Sequence, residues 1–325
     1  MDRSIGKYVR LSECGFHEAF SSNPQIIFHG RGLGVKLFSR KLHRVCSIIV
    51  HFLSTDLWKG AFMARQWRRI GIAKPLIDYL PLLLATHSAC EYKNYKKYSL
   101  SPKAQRPKGR VVVYSVLIGY YDNIKDPLFI SPNVDYLLFT NRDIKCSVWR
   151  TIKVSDEGFT DLLLSRRIKM LPQEYLPEGY VFSIYIDANV VIWGDITMLL
   201  TKLNEHCHFA VTAHSVRNTV KDELDELVRL GKVKRDVADS VYTRYRKDGF
   251  DDSLGLAECT ALVRRCNNER LNALMHSWWR EFSTDGLFRD QPSLMYCLWK
   301  ERYHDYELME GHVMNNQFCA TISHK

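Results

Sequence analysis

Residues 181–186, VFSIYI, read as a buried strand that runs directly into a carboxylate, Asp187. An amide, Asn189, follows one residue later, and a second apolar run starts within YIDANVVIWGD. Open α/β sheets bind ligands beyond the carboxyl ends of their strands, so this stretch constrains both the architecture and the place of a site. Hard cations take oxygen ligands from carboxylates and from substrate phosphates. An Asp-x-Asn pair at a strand end can therefore hold Mn²⁺ or Mg²⁺ against a diphosphate. The plainer alternative is that Asp187 only turns the chain, as Asp and Asn often do.

The rest of the chain from Arg110 onward repeats the strand signature. VVVYSVLIG (111–119), VDYLLFTN (134–141), SVWRTIKV (147–154) and HFAVTAH (208–214) are β-rich runs. Between and after them lie helical patterns at 160–175, broken at Pro172, and at 196–205, 218–231, 234–247 and 267–283. Asp195 is placed to cap the 196–205 helix. Strands alternating with helices predict an α/β fold, a Rossmann-type sheet flanked by helices.

Each strand delivers polar residues to one rim. The first ends in Tyr121 and Asp122, an aromatic–carboxylate pair suited to a nucleotide, and the second ends in Asn141. Arg166 and Lys169 share a helix face at i and i+3, where a basic pair can take a diphosphate. His214 ends its strand, with Arg217 and Glu223 close behind. Glu258 precedes a strand-like run, and Asp290, followed by Gln291 and Pro292, opens a helix, where a capping role is expected as well. Near the end of the sequence, His312 and His324 offer imidazoles to a Mn²⁺ site with Asp187. The stripe Leu271, Leu274, Met275, Trp278 and Phe282 reads as core.

Nine scattered cysteines without a C-x-x-C pair give no zinc-ribbon or thioredoxin-like site. The first residues lack the apolar region of a signal peptide. No run reaches the roughly 20 apolar residues needed to span a bilayer. These readings point to a cytoplasmic protein, held peripherally at the inner face of a membrane. Residues 1–110 carry 20 Lys/Arg against 6 Asp/Glu, whereas residues 111–325 carry 26 against 30. The whole basic excess thus belongs to the first third, which includes the cluster ARQWRR (64–69) and the Pro- and Lys-rich segment 91–110. A boundary is expected near residue 108. The basic, mainly helical region 1–108 is expected to meet an anionic membrane surface. Nucleic acid is disfavoured as the partner, because the larger domain is slightly acidic and carries no recognised motif.

Taken in order, VVVYSVLIGYYDN, VDYLLFTN, the Trp149 strand, SRRIKMLP, YIDAN, AHSVR with Glu223, ECTALVRR, SWWREF and RDQPS resemble the glycosyltransferase-like family once catalogued as domain of unknown function 616. The resemblance runs from about Val111 to near Lys325. It implies a GT-A-type mixed sheet at 109–325 that binds a nucleotide-sugar and passes the sugar to a glycan or lipid-linked acceptor in surface polysaccharide synthesis. Asp187 then stands for the first Asp of a metal-binding Asp-x-Asp, and Asn189 for the second. Asp290 and Gln291 stand for an Asp-Gln pair that meets donor sugar or acceptor. Asp290, ahead of Glu258, is the expected catalytic base if the reaction inverts the anomeric centre, and retention stays open as the alternative. Tyr121, Asp122, Asn141, Arg166, Lys169, His214 and Arg217 line the donor. The rival readings are a non-catalytic glycan- or nucleotide-binding module and a nucleic-acid-binding protein that uses the basic arm.

Overall fold

The computed structural model describes residues 98–100, 106–156, 158–312 and 316–321. The chain divides into two units, 1–89 and 90–325, and the described residues all belong to the second. The basic N-terminal stretch through residue 97, with its expected membrane contact, and His324 lie outside the described residues.

Seven strands form one mixed sheet in the order β3-β2-β1-β4-β7-β6-β8. They are β1 (Val111–Leu117), β2 (Val134–Thr140), β3 (Arg150–Lys153), β4 (Phe182–Ile186), β6 (Phe209–Ala213), β7 (Ala257–Arg265) and β8 (Tyr306–Met309). A separate two-stranded ribbon pairs β5 (Val190–Ile192) with β9 (Cys319–Thr321). β1 pairs in parallel with both β2 and β4. All of its residues are buried, as expected of a strand covered on both faces.

β7 alone runs against its neighbours, antiparallel to β4 and to β6, while β8 is parallel to β6. The carboxyl ends of β1, β2, β4, β6 and β8 therefore share one rim with the amino end of β7. Alternation along the strands sorts the core into two layers. Val112, Tyr114 and Val116 pack beneath the helices with Leu164, Ile168, Trp278 and Met295. Val111, Val113 and Leu117 face the other side with Ile196, Leu200 and Phe318.

The helices are α1 (Asp161–Met170), α2 (Val220–Arg229), α3 (Arg235–Lys247), α4 (Glu269–Thr284) and α5 (Asp290–Lys300). Thr160, Thr219 and Asn268 cap α1, α2 and α4 through their side chains. Two expectations are corrected here. The helix expected at 196–205 is a 3-10 helix, Ile196–Lys202, capped as foreseen by Asp195. Asp290 does not cap α5. Arg289 holds the cap position without a side-chain cap, because the Asp290 carboxylate is drawn away toward α1.

The segment read as a linker contributes Tyr98 to the core. Its ring stacks on Phe318, and its hydroxyl shares a 2.6 Å hydrogen bond with Thr212. Gly311 lies against that ring, and a Cβ there would come within 2.4 Å of Tyr98 Cδ1. A Gly311→Ala variant is therefore expected to lose about 1–3 kcal/mol by overpacking. A melting curve unchanged from wild type would contradict this contact.

Candidate active site

The rim gathers most of the singled-out residues. Asp187 follows β4 directly, and its backbone N–H is held by the carbonyl of Thr260 on β7. A tight turn, closed by the Val190 N–H on the Asp187 carbonyl, carries the chain into β5. Asp187 thus turns the chain, as the plainer reading expects, and its side chain lies beside those of Tyr185 and Lys169. Its Oδ1 accepts from the Tyr185 hydroxyl at 2.7 Å and lies 3.4 Å from Lys169 Nζ. Nothing in the sequence marks Tyr185 as a site residue except its spacing. It stands two residues before Asp187, and that spacing keeps both side chains on one face of the strand.

Lys169 is only 1% exposed. Its Nζ donates to Asp290 Oδ2 at 2.7 Å and sits 4.9 Å above the Tyr185 ring. The expected rim-facing lysine is instead an internal cation. Lys169 lies near the end of α1, and helical side chains point back toward the N-terminus, so the ammonium climbs from the helix to the strand end. Arg166, one turn earlier, approaches the same Asp290 oxygen at 3.6 Å and keeps about a quarter of its side chain exposed. The neighbouring Asp290 and Asp187 charges raise its pKa against the opposing effect of burial. Asp290 shows the mirror effect. Burial acts to raise its pKa, but Lys169 and Arg166 together hold it well below the usual carboxylate range. Trp278, read as core only, also fixes the α5 terminus by donating its indole N–H to the Asp290 carbonyl at 3.0 Å.

On the far side of β7 lies a second cluster. Arg217 pairs with the buried Glu223 at 2.6 Å. His214 Nδ1 accepts the backbone N–H groups of Val216 and Arg217, each at 3.1 Å. Burial and the adjacent Arg217 and His312 push its pKa down to about 4, so the ring is neutral at ordinary pH. His214 thus shapes its loop through these two contacts.

Between the two clusters stands Glu258, the second residue of β7. Val211 pairs with Leu262 but Thr212 pairs with Glu258, so three residues of β7 bulge away from β6. Bulges of this kind re-aim side chains near active sites. Glu258 is buried, and its Oε2 has no hydrogen-bond partner among the described residues. Burial raises its pKa to about 7, with Glu223 and Asp187 adding to the shift and Arg217 opposing it.

The remaining residues divide. Asn141 Oδ1 accepts the N–H of Gly119 at 3.0 Å, so it pins the end of β1. Gly119 needs its freedom there, with φ +66° and a would-be Cβ only 2.2 Å from Asp161 Oδ2. Tyr121 is 70% exposed beyond β1, and the Asp122 carbonyl accepts from Arg142. Gln291 is half-buried in the first turn of α5. His312 follows β8 onto the same rim, buried, with Nδ1 lacking a hydrogen-bond partner among the described residues.

The side chains do not fit a divalent cation as the Asp-x-Asp pattern would have it. Asn189 is buried, and Asp187 Oδ1 is already shared by a phenol and an ammonium. Among the described residues, no three His, Cys, Asp or Glu side chains are grouped to hold a metal. No helix among these residues is long and apolar enough to cross a membrane.

A family model described as the TOD1/MUCI70 glycosyltransferase-like domain matches residues 99–308. The chain belongs to that family. The resemblance seen in the ordered motifs is thereby borne out, and the mixed seven-stranded sheet flanked by helices is the expected fold class. No curated protein matches the chain. Among solved structures, the apo form of the bifunctional glycosyltransferase WbbM aligns at TM-score 0.38 and 10% identity, over 65% of this chain and 40% of that one. The galactosyltransferase LgtC, in complex with donor and acceptor sugar analogues, aligns at 0.33 and 9%, over 58% and 70%. The chain thus spans less than half the length of WbbM.

Proposed function

We propose that this glycosyltransferase-like domain moves a sugar from a nucleotide-sugar to an acceptor hydroxyl, with the donor lying along the rim from β1 to β7. Tyr121, exposed beyond β1, would stack on the base beside Asp122. The diphosphate would lie toward Asp187 and the Arg166–Lys169 pair, whose charge stabilises the leaving group as it develops.

Glu258 is the proposed base. It takes the proton from the acceptor hydroxyl as the oxygen forms its bond to the sugar's anomeric carbon. The bond from that carbon to the diphosphate oxygen breaks, and the nucleoside diphosphate leaves with the electron pair. This is a single displacement, so the anomeric centre inverts. Glu258 suits the role better than Asp290. A base works best when its pKa lies near the working pH, and Glu258 has a free buried oxygen, whereas Asp290 is tied to two cations. Asp290 then positions Lys169. The acceptor is proposed to be a glycan or a lipid-linked sugar.

The observation that carries this reading is the unpartnered Glu258 oxygen. A buried polar atom left unsatisfied costs stability, and a pure binding module gains nothing from keeping it. The test is a thermal-shift panel of nucleotides and nucleotide-sugars, followed by NMR of any product's anomeric configuration. We expect one nucleotide series to raise the melting temperature and Asp187→Ala to weaken that shift. The reading fails if no nucleotide shifts the melt. Binding without turnover would favour the non-catalytic module.

A further inference from the structure

We infer that Lys169 is the resident cation of this site, so that a nucleoside diphosphate binds and leaves without a divalent metal. The inference rests on the nucleotide-sugar reading above and concerns what supplies positive charge within it. An Asp-x-Asp turn works by giving a metal ion anionic oxygens and a clear approach. Here the second acidic position is a buried amide, Asn189, which adds no charge. The remaining carboxylate already faces an ammonium, with Lys169 Nζ 3.4 Å from Asp187 Oδ1.

That ammonium is held inside the fold. It is almost wholly buried, and its stronger partner, Asp290 Oδ2 at 2.7 Å, anchors it from the opposite side. Its backbone is fixed as well, because the Lys169 carbonyl accepts from the Tyr114 hydroxyl at 3.1 Å and from Arg264 Nη2 at 3.0 Å. A divalent ion on Asp187 would share a carboxylate with this fixed positive charge, and like charges repel.

Arg166 completes the arrangement. Its ion pair with Asp290 is long, at 3.6 Å, and part of its side chain remains exposed. A guanidinium presents several N–H donors in a planar fork that matches phosphate oxygens. Lys169 thus neutralises the carboxylate that would repel a diphosphate, and Arg166 meets the phosphate itself. Charge enters the site from α1, covalently attached, where a metal-dependent enzyme would recruit an ion.

The experiment is isothermal titration calorimetry of the full chain with UDP, GDP, ADP and CDP, after EDTA treatment and again in Mn²⁺. Electron paramagnetic resonance of free Mn²⁺ titrated with protein is recorded alongside. We expect one nucleoside diphosphate to bind with affinities agreeing within about threefold in the two conditions. Protein alone should leave the free Mn²⁺ signal unchanged, and Arg166→Met should weaken binding by at least about tenfold. Binding that requires Mn²⁺, or tightens about tenfold or more with it, would overturn the inference while leaving the nucleotide-sugar reading intact. No binding of any nucleoside diphosphate in either condition would overturn that reading, and this inference with it. The metal comparison uses the wild-type chain, so it stands even if the arginine variant folds poorly.

Discussion

A chain carrying Lys169→Met is expected to be less stable than wild type by about 3 kcal/mol, because removing one partner of a buried ion pair strands the other. At about 2–4 °C per kcal/mol for a domain of this size, the melting temperature should fall by roughly 10 °C. The stranded group is the buried Asp290 carboxylate, whose remaining cation is Arg166 at the longer distance of 3.6 Å. A Lys169→Met/Asp290→Asn double variant should recover much of the loss, since a buried pair and its neutral replacement are often close in stability. Acid behaviour should change in step. Asp290 is held well below the usual range in the folded chain, so it contributes stability above its unfolded pKa and loses it only as pH falls through the depressed folded value. Without Lys169 the folded pKa rises toward the unfolded one, so this contribution shrinks and less stability is lost on acidification. Urea titrations between pH 2 and 7 would show it. A single variant that melts within a degree of wild type would mean the pair contributes nothing.

The legibility of this site in its sequence was uneven, for physical reasons. Strand existence could be read because β1 and β4 are buried on both faces, and burial writes itself as a continuous apolar run. The shared rim was legible for Asp122, Asn141 and Asp187, because parallel strands bring their carboxyl ends together. Glu258 reached the same rim by the opposite rule, as the first turn of an antiparallel strand, and nothing local announces strand direction. Least legible was the Lys169–Asp290 pair. Its partners are 121 residues apart, and a lysine that will be buried looks the same in sequence as one that will not. The i, i+3 spacing of Arg166 and Lys169 did foretell a shared target, since both reach the same Asp290 oxygen. It did not say that the target was a carboxylate within the fold. Asp290 misled in a related way: a helix-first acidic residue reads as a cap, and only the cations waiting on α1 turn it inward.

Glu258→Gln is expected to separate chemistry from folding. Loss of a positioned general base lowers turnover by about 10²–10⁴-fold, while the folded chain gains stability above neutral pH. The sign follows from the raised pKa. Folded Glu258 keeps its proton up to about pH 7, whereas the unfolded side chain releases it near the ordinary glutamate value of 4.5. Stability therefore falls as pH rises across that window, by about 3 kcal/mol at most. Glutamine keeps the shape and never ionises, so the variant should be more stable than wild type at pH 8 and nearly equal to it at pH 4. His214 sharpens the test because its effect has the opposite sign. Folded His214 stays neutral down to about pH 4, against an ordinary histidine value of 6.5, so its contribution is lost as pH falls through that window. In wild type the two trends overlap and partly cancel between about pH 4.5 and 6.5. Glu258→Gln removes one of these trends, so between about pH 4.5 and 7 the variant should lose stability with rising pH less steeply than wild type. Chemical denaturation at four or five pH values measures this directly. A variant that loses turnover but keeps the wild-type stability–pH curve would show that Glu258 is already ionised in the folded chain, and the proton would then need another acceptor.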